Sequence, residues 1–164
     1  MGFFDALKEG AKKFTNCVTG GYGEIEFSLG KTDVSPGERV PYKIKVDAKG
    51  ELKAKRILLI LRALETCELD IEVDEVDEDK VSHGNTRTER KTFTNYSIEE
   101  NIEVHGELEM NEGESETYSG EVTIPEAAQP TYFGPLARHE WSIEADVDIP
   151  WGKDLKKIIK INVR

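Results

Sequence analysis

The sequence predicts an all-β protein, an antiparallel sandwich preceded by a short amphipathic helix. Three observations predict it. Beyond residue 23 the apolar residues recur at every second position, short turn sequences separate these runs, and helical spacing is confined to the N-terminus. The length of 164 residues suits one domain with one core. We therefore divide the chain into an N-terminal segment, residues 1–23, and a sandwich domain, residues 24–164.

Residues 3–18 are expected to form the helix, and the glycine-rich residues 19–23 end it. One face carries charged residues and the other is an apolar stripe of Phe3, Phe4, Leu7, Ala11, Phe14 and Val18. The stripe can pack on the sandwich or cover an open sheet edge. It can also bind a partner or a second copy, or contact a membrane. Phe3, Phe4, Leu7 and Phe14 are therefore candidate interaction residues.

The first strands are read from alternation and turn chemistry. Ile25, Phe27 and Leu29 alternate with polar residues, and a second alternating run occupies residues 40–48. Between them lies a turn at residues 35–38, where proline presets φ at the second position and Gly37 supplies a positive φ at the third. Residues 57–61 are continuously apolar, which predicts a central strand covered on both faces.

An acidic stretch follows, with nine acids and no base over residues 65–79. Its apolar residues are predicted to face inward and its acids outward, the inner set being Cys67, Leu69, Ile71 and Val73 and the outer set Glu68, Asp70, Glu72 and Asp74. After a polar loop come Arg87, Arg90 and Lys91, so we predict an antiparallel hairpin in which Arg87, Arg90 or Lys91 partly offsets the repulsion among the acids and Phe93 is a neighbour of the inner residues. Alternatively, the acidic face binds a basic protein.

Later strands alternate as regularly, over residues 102–110, 118–124, 138–149 and 159–163. Trp141 lies on the apolar side of the longest run, which predicts a core anchor. His139 shares that side, and we interpret it as a buried, hydrogen-bonded histidine. A proline-containing connection, residues 125–137, precedes this strand.

Composition excludes several function classes. The net charge of −11 disfavours nucleic acids and broad docking to anionic membranes. His83, His105 and His139 lack metal-ligand spacing, and the run from Asp74 to Asp79 lacks the glycine of a calcium loop. Cys17 and Cys67 are far apart and read as reduced thiols, which, with no signal-peptide pattern, predicts a cytoplasmic protein. No catalytic motif occurs, so we expect neither enzyme activity nor a cofactor.

The order of several motifs resembles that of arrestin-like domains. Residues 25–29, the turn at 34–38 and the strand at 40–46 are similar to the opening hairpin of that family. Nearer the C-terminus, the sequence Pro-Thr-Tyr-Phe-Gly at 130–134, the long strand at 141–149 and Pro-Trp-Gly at 150–152 occur in the family's order. Bacterial and archaeal sporulation-control relatives look most similar, since they also begin with a Phe-rich segment. The resemblance covers residues 24–164, whereas arrestins have two such sandwiches.

That resemblance implies a scaffold or adaptor and names no partner. The main functional hypothesis is a non-enzymatic module that binds an unknown protein or a second copy of itself. The alternative is a peripheral membrane protein anchored by the Phe-rich helix.

Overall fold

The computed structural model describes residues 22–74 and 86–164. These residues form β-strands without a helix, which confirms the predicted all-β class; no helix long and apolar enough to cross a bilayer occurs within them. The strands are β1 Gly23–Leu29, β2 Asp33–Val34, β3 Arg39–Ala48, β4 Leu52–Ala54, β5 Arg56–Asp74, β6 Thr86–His105, β7 Leu108–Met110, β8 Ser115–Thr123, β9 Tyr132–Phe133, β10 Ala137–Asp148 and β11 Leu155–Val163. The helix predicted at residues 3–18, with Phe3, Phe4, Leu7 and Phe14, lies outside the described residues, as do residues 75–79 of the acidic stretch.

Two sheets form the sandwich. One has three antiparallel strands in the order β1-β3-β8, and the other has six, with β2-β11-β10-β5-β6 in order and β9 joined to β10. The short strands β4 and β7 pair with each other. Strand β2 pairs with β11 in parallel over two residues, and every other pairing is antiparallel. The sequence suggested one continuous run over residues 102–110, whereas the structure ends β6 at His105 and begins β7 at Leu108.

One apolar core lies between the two sheets, because alternate residues of each inner face are buried. The three-stranded sheet contributes Val40, Ile44, Val46 and Val122. The larger sheet contributes Ile57, Leu59, Leu61, Ala63, Trp141, Ile143, Ala145 and Val147. Strand β5 lies between β10 and β6 there, which confirms the predicted central strand at residues 57–61.

The turn before β3 has the chemistry that the sequence predicts. Glu38 donates its backbone N–H to the carbonyl of Ser35 at 3.1 Å, which closes the turn. Gly37 has φ +76°, in the left-handed region that glycine adopts without a Cβ clash. The Glu38 carboxylate also accepts the Ser35 N–H at 2.9 Å, which fixes the turn from its inner side.

Strands β5 and β6 are longer than the rest of the sandwich. They contain 19 and 20 residues, whereas β1, β3 and β8 contain 7, 10 and 9. Strand β10 pairs with β5 only from Arg56 to Cys67. Beyond Cys67, β5 and β6 continue together as a two-stranded ribbon, residues 68–74 and 86–92, which we call the arm.

Candidate interaction surface

The arm is the antiparallel hairpin that the charge pattern predicts. Its register sets Cys67 opposite Phe93, Asp70 opposite Arg90, and the backbone of Asp74 opposite Thr86. Residues directly opposite each other in an antiparallel pair project from the same face. The register therefore assigns the side chains up to Val73 to one face of the arm or the other.

One face of the arm carries the apolar residues that the sequence assigned to the core. They follow the inner face of β5, but they do not become core residues, and this part of the prediction is wrong. Leu69 is 48% exposed and Phe93 50% exposed, while Cys67, Ile71 and Val73 are half-buried. The physical reason is length, because the strands of the facing sheet are about half as long as β5 and β6.

A tyrosine from another strand lies on the same face of the sheet. Tyr132 in β9 lies opposite His139 in β10, and His139 lies opposite Glu65 in β5, so all three project from the face that also bears Cys67. The Tyr132 and His139 ring centroids are 6.5 Å apart, and Tyr132 is 51% exposed. We define the arm patch as Cys67, Leu69, Ile71, Val73, Phe93 and Tyr132.

The opposite face of the arm is polar and partly ion-paired. Arg90 donates from Nε and Nη2 to the two carboxylate oxygens of Asp70 at 2.8 and 3.2 Å. These hydrogen bonds hold the pKa of the Asp70 carboxyl below its ordinary value. Glu68 and Glu72 lie opposite Thr92 and Thr88. The predicted charge compensation is therefore confirmed for one acid of this face.

The other two cations of the predicted set lie on the patch side of β6. Arg87 pairs with Glu89 of its own strand, and Lys91 lies opposite Leu69. Because residues two apart along a strand share a face, Lys91 and Glu89 border the apolar patch and do not neutralise Glu68 or Glu72. The prediction that Arg87, Arg90 or Lys91 partly offsets the acidic face is therefore confirmed through Arg90.

His139 is buried at 1% exposure, and both of its ring nitrogens have partners, which confirms the interpretation as a satisfied core histidine. Nδ1 lies 3.0 Å from the carbonyl oxygen of Pro130 and donates to it, because a carbonyl only accepts. Nε2 is hydrogen-bonded to the Ser97 hydroxyl oxygen at 3.0 Å. The ring thereby ties β6 to β10 across the intervening strand β5.

Two carboxylates on the outer face of β10 are buried, although alternation placed them in solvent. Glu144 is 5% exposed and Asp146 6%. Lys156 in β11 donates to Asp146 at 2.9 Å, and Arg62 in β5 lies 3.3 Å from Glu144. Asp146 raises the pKa of the Lys156 ammonium through this hydrogen bond. These cations from neighbouring strands cover the acids, and the local pattern of β10 carries no sign of them.

Trp151 is a further exposed aromatic residue that the sequence reading missed. It is 97% exposed and has φ +62° in the turn between β10 and β11. An open cleft of about 760 Å³ borders this turn, lined by residues 24–26 and 152–157. Phe133, 70% exposed, and Leu136, 52% exposed, also lie in a segment that the sequence reading treated as irregular connection. No group of three or more potential metal ligands occurs among residues 22–74 and 86–164.

These features define an all-β, arrestin-like sandwich. No protein-family model and no curated protein matches the chain. Among solved structures the chain is similar to Spo0M, the sporulation control protein from Bacillus subtilis, with a TM-score of 0.57 and 23% identity. The similarity covers 88% of this chain and 50% of the Spo0M chain, so this chain spans about half the length of that protein. At this identity the likeness shows the fold alone.

Proposed function

We propose that this protein is a non-enzymatic interaction module that binds a partner protein through the arm patch. The observation that carries the proposal is the exposure of Leu69, Phe93 and Tyr132, each about half exposed, on the same face of the larger sheet. Contiguous apolar surface is uncommon on monomeric proteins and marks interaction sites. The Spo0M-like fold agrees with a regulatory or adaptor role and leaves the partner open.

The construction of the arm supports the same proposal. A two-stranded ribbon is only marginally stable in water unless another surface packs on it. Within the described residues, β5 beyond Cys67 pairs with β6 alone, apart from a hydrogen bond from the Glu68 N–H to the Leu136 carbonyl at 2.7 Å. A partner that covers Leu69 and Phe93 removes apolar surface from water and stabilises the ribbon at the same time.

The polar rim of the patch indicates the chemistry of the partner. Lys91 lies directly opposite Leu69 and is exposed, so it can meet an acidic group at the edge of an apolar contact. On the opposite face, Asp70 is already paired with Arg90. We therefore favour an apolar partner segment with an acidic flank over a basic partner on the acidic face.

Site-specific photo-crosslinking in cells tests which face binds. A photoreactive residue at position 69 probes the patch, and the same residue at position 72 probes the opposite face of the same strand. We expect a discrete adduct from position 69 and a much weaker one from position 72. Equal adducts from both positions, or none from position 69, would overturn the proposal.

The partner recovered in this way is then purified and its affinity measured by calorimetry. Leu69→Gln should weaken binding roughly tenfold, because it removes an apolar anchor at the centre of the patch. Glu72→Gln makes the same new side chain on the polar face and is the matched control. An equal loss for both variants would show that the contact is not made through the patch.

A further inference from the structure

Strand β6 forms an edge of the larger sheet. It has 20 residues, and among the described strands it pairs only with β5. The outward N–H and C=O groups of such an edge are a template for another strand. Proteins commonly protect long edges with charges of one sign, which repel a second copy.

The charges of β6 are divided by sign along its length. Residues 86–92 hold three cations and one anion, a net charge of +2, and residues 99–105 hold three anions and no Lys or Arg. The cations are Arg87, Arg90 and Lys91, and the anions of the second half are Glu99, Glu100 and Glu103. Antiparallel pairing of two copies brings unlike halves together, whereas parallel pairing opposes like halves. This division disfavours random edge association but favours one antiparallel arrangement.

We propose that two copies of this chain associate through β6, antiparallel, about a two-fold axis at Asn95. The sheets of the two copies then form one continuous sheet, and Lys91 of each copy lies opposite Glu100 of the other. This self-association goes beyond the proposed partner binding and does not depend on it.

The bulge in β6 fixes how the two copies can align. Ala63 lies opposite Ile98 and Leu64 opposite Tyr96, so Ser97 is an extra residue in β6. Faces therefore switch at Ser97: odd-numbered residues before it and even-numbered residues from Ile98 to Ile102 share the inner face. A second irregularity, at Val104, returns the inner face to odd numbers at His105. In an antiparallel pair of copies, each strand's bulge lies opposite the regular part of the other.

With the two-fold axis at Asn95 and Ser97 counted as the extra residue, inner-face residues of one copy lie opposite inner-face residues of the other, and outer-face residues lie opposite outer-face residues. Phe93 meets Ile98 of the second copy on the inner face, and Lys91 meets Glu100 there. On the outer face, Arg90 lies diagonally between Glu99 and Glu103 of the second copy.

Neighbouring positions of the axis fit the side chains less well. An axis one residue toward the N-terminus sets Arg90 opposite Glu99, an unlike pair, but it also sets Glu89 opposite Glu100, a like-charge pair. An axis one residue toward the C-terminus sets Arg90 opposite Glu103, but it places Phe93 opposite Glu100 and Lys91 opposite Ile102. The axis at Asn95 gives an unlike pair at Lys91 and Glu100, both of which are exposed in the single chain.

The two-fold axis also gives the dimer a defined shape. Because the two-fold axis is perpendicular to the joined sheet, the arm patches of the two copies project from the same side of that sheet. A dimer would therefore present two partner sites on one face.

Sedimentation equilibrium on the full chain tests the proposal by charge reversal. Each single variant, Lys91→Glu or Glu100→Lys, creates two like-charge contacts across the symmetric interface, so we expect roughly tenfold weaker association. The double variant Lys91→Glu/Glu100→Lys restores both contacts with their signs exchanged and should recover the affinity of the unmodified chain. Lys55→Glu and Glu107→Lys, which change the same charges outside β6, should leave association unchanged.

A monomeric unmodified chain, or a double variant as weak as the single variants, would overturn the proposal. Equal weakening by the two control variants would do the same, because it would show a response to net charge alone. Far-UV circular dichroism on each variant confirms that the sandwich is folded. Glu100→Lys is expected to leave partner binding intact and Leu69→Gln to leave self-association intact, so each proposal can fail without the other.

Discussion

At the scale of single residues, Trp141 is the largest of the fully buried side chains among the described residues. Trp141 is 1% exposed, and its indole N–H donates to the Gln129 carbonyl at 2.8 Å. Its ring meets His139 edge-on, with centroids 5.7 Å apart. The alternation of β10 was sufficient to assign Trp141 to the core, because a strand that packs on one sheet repeats every two residues.

Replacing Trp141 with alanine removes the largest buried side chain of the core. We expect Trp141→Ala to lower the free energy of unfolding by about 3–5 kcal/mol. Urea unfolding of this variant measures the loss. Trp151→Ala is the comparison, because that side chain is 97% exposed and its removal should cost little. A small effect at Trp141 would contradict the register of β10.

Gly37 gives a backbone prediction. Since it has φ +76°, Gly37→Ala should destabilise the protein by about 1–2 kcal/mol. Gly106→Ala is the control: Gly106 is not among the positive-φ glycines of the described chain, and its nearest neighbour for a new Cβ is the Glu103 carboxylate at 4.0 Å. Melting temperatures of both variants test the difference, and equal values would refute a strained turn.

At the scale of elements, charge pattern predicted the pairing of β5 with β6, but it did not predict what lies above them. Exposure of Leu69 and Phe93 follows from the shorter strands of the other sheet, and no residue of the hairpin records that length. Burial of Glu144 and Asp146 likewise depends on Arg62 and Lys156 from neighbouring strands. Such features are long-range, so alternation within one strand cannot reveal them.

The Asp70–Arg90 pair gives a pH prediction for the arm. Because Arg90 lowers the pKa of Asp70, the charged carboxyl stabilises the hairpin above the carboxyl's unfolded pKa, and this contribution is lost as the pH falls through the folded pKa. Both side chains are more than half exposed, so the effect on stability is small. An NMR titration of the Asp70 carboxyl should show a lowered pKa that rises in Arg90→Gln. An unchanged pKa in that variant would contradict the pairing.

At the scale of the whole molecule, the sequence predicted the all-β sandwich and its arrestin-like character. Regular alternation over the later strands reflects one core between two sheets, and the structure and its likeness to Spo0M agree with it. The interaction surface that we propose differs from the one expected from the sequence. The acids Glu68, Asp70, Glu72 and Asp74 were the expected binding face and remain a prediction. Tyr132 reaches the face of β5 that bears Leu69 only through the pairing of β9 with β10 and of β10 with β5, which alternation within one strand cannot reveal.

The central claim is that the arm is open in the free protein and is covered by a partner. Hydrogen–deuterium exchange tests this claim on the full chain alone and on the full chain mixed with the purified partner that crosslinking identifies. In the free protein, amides of residues 69–73 should exchange faster than those of residues 57–63 in the same strand, because only the latter lie between two strands and beneath a facing sheet. Partner addition should slow exchange at residues 69–73. Slow exchange there in the free protein, with no change on partner addition, would contradict an open arm that a partner covers.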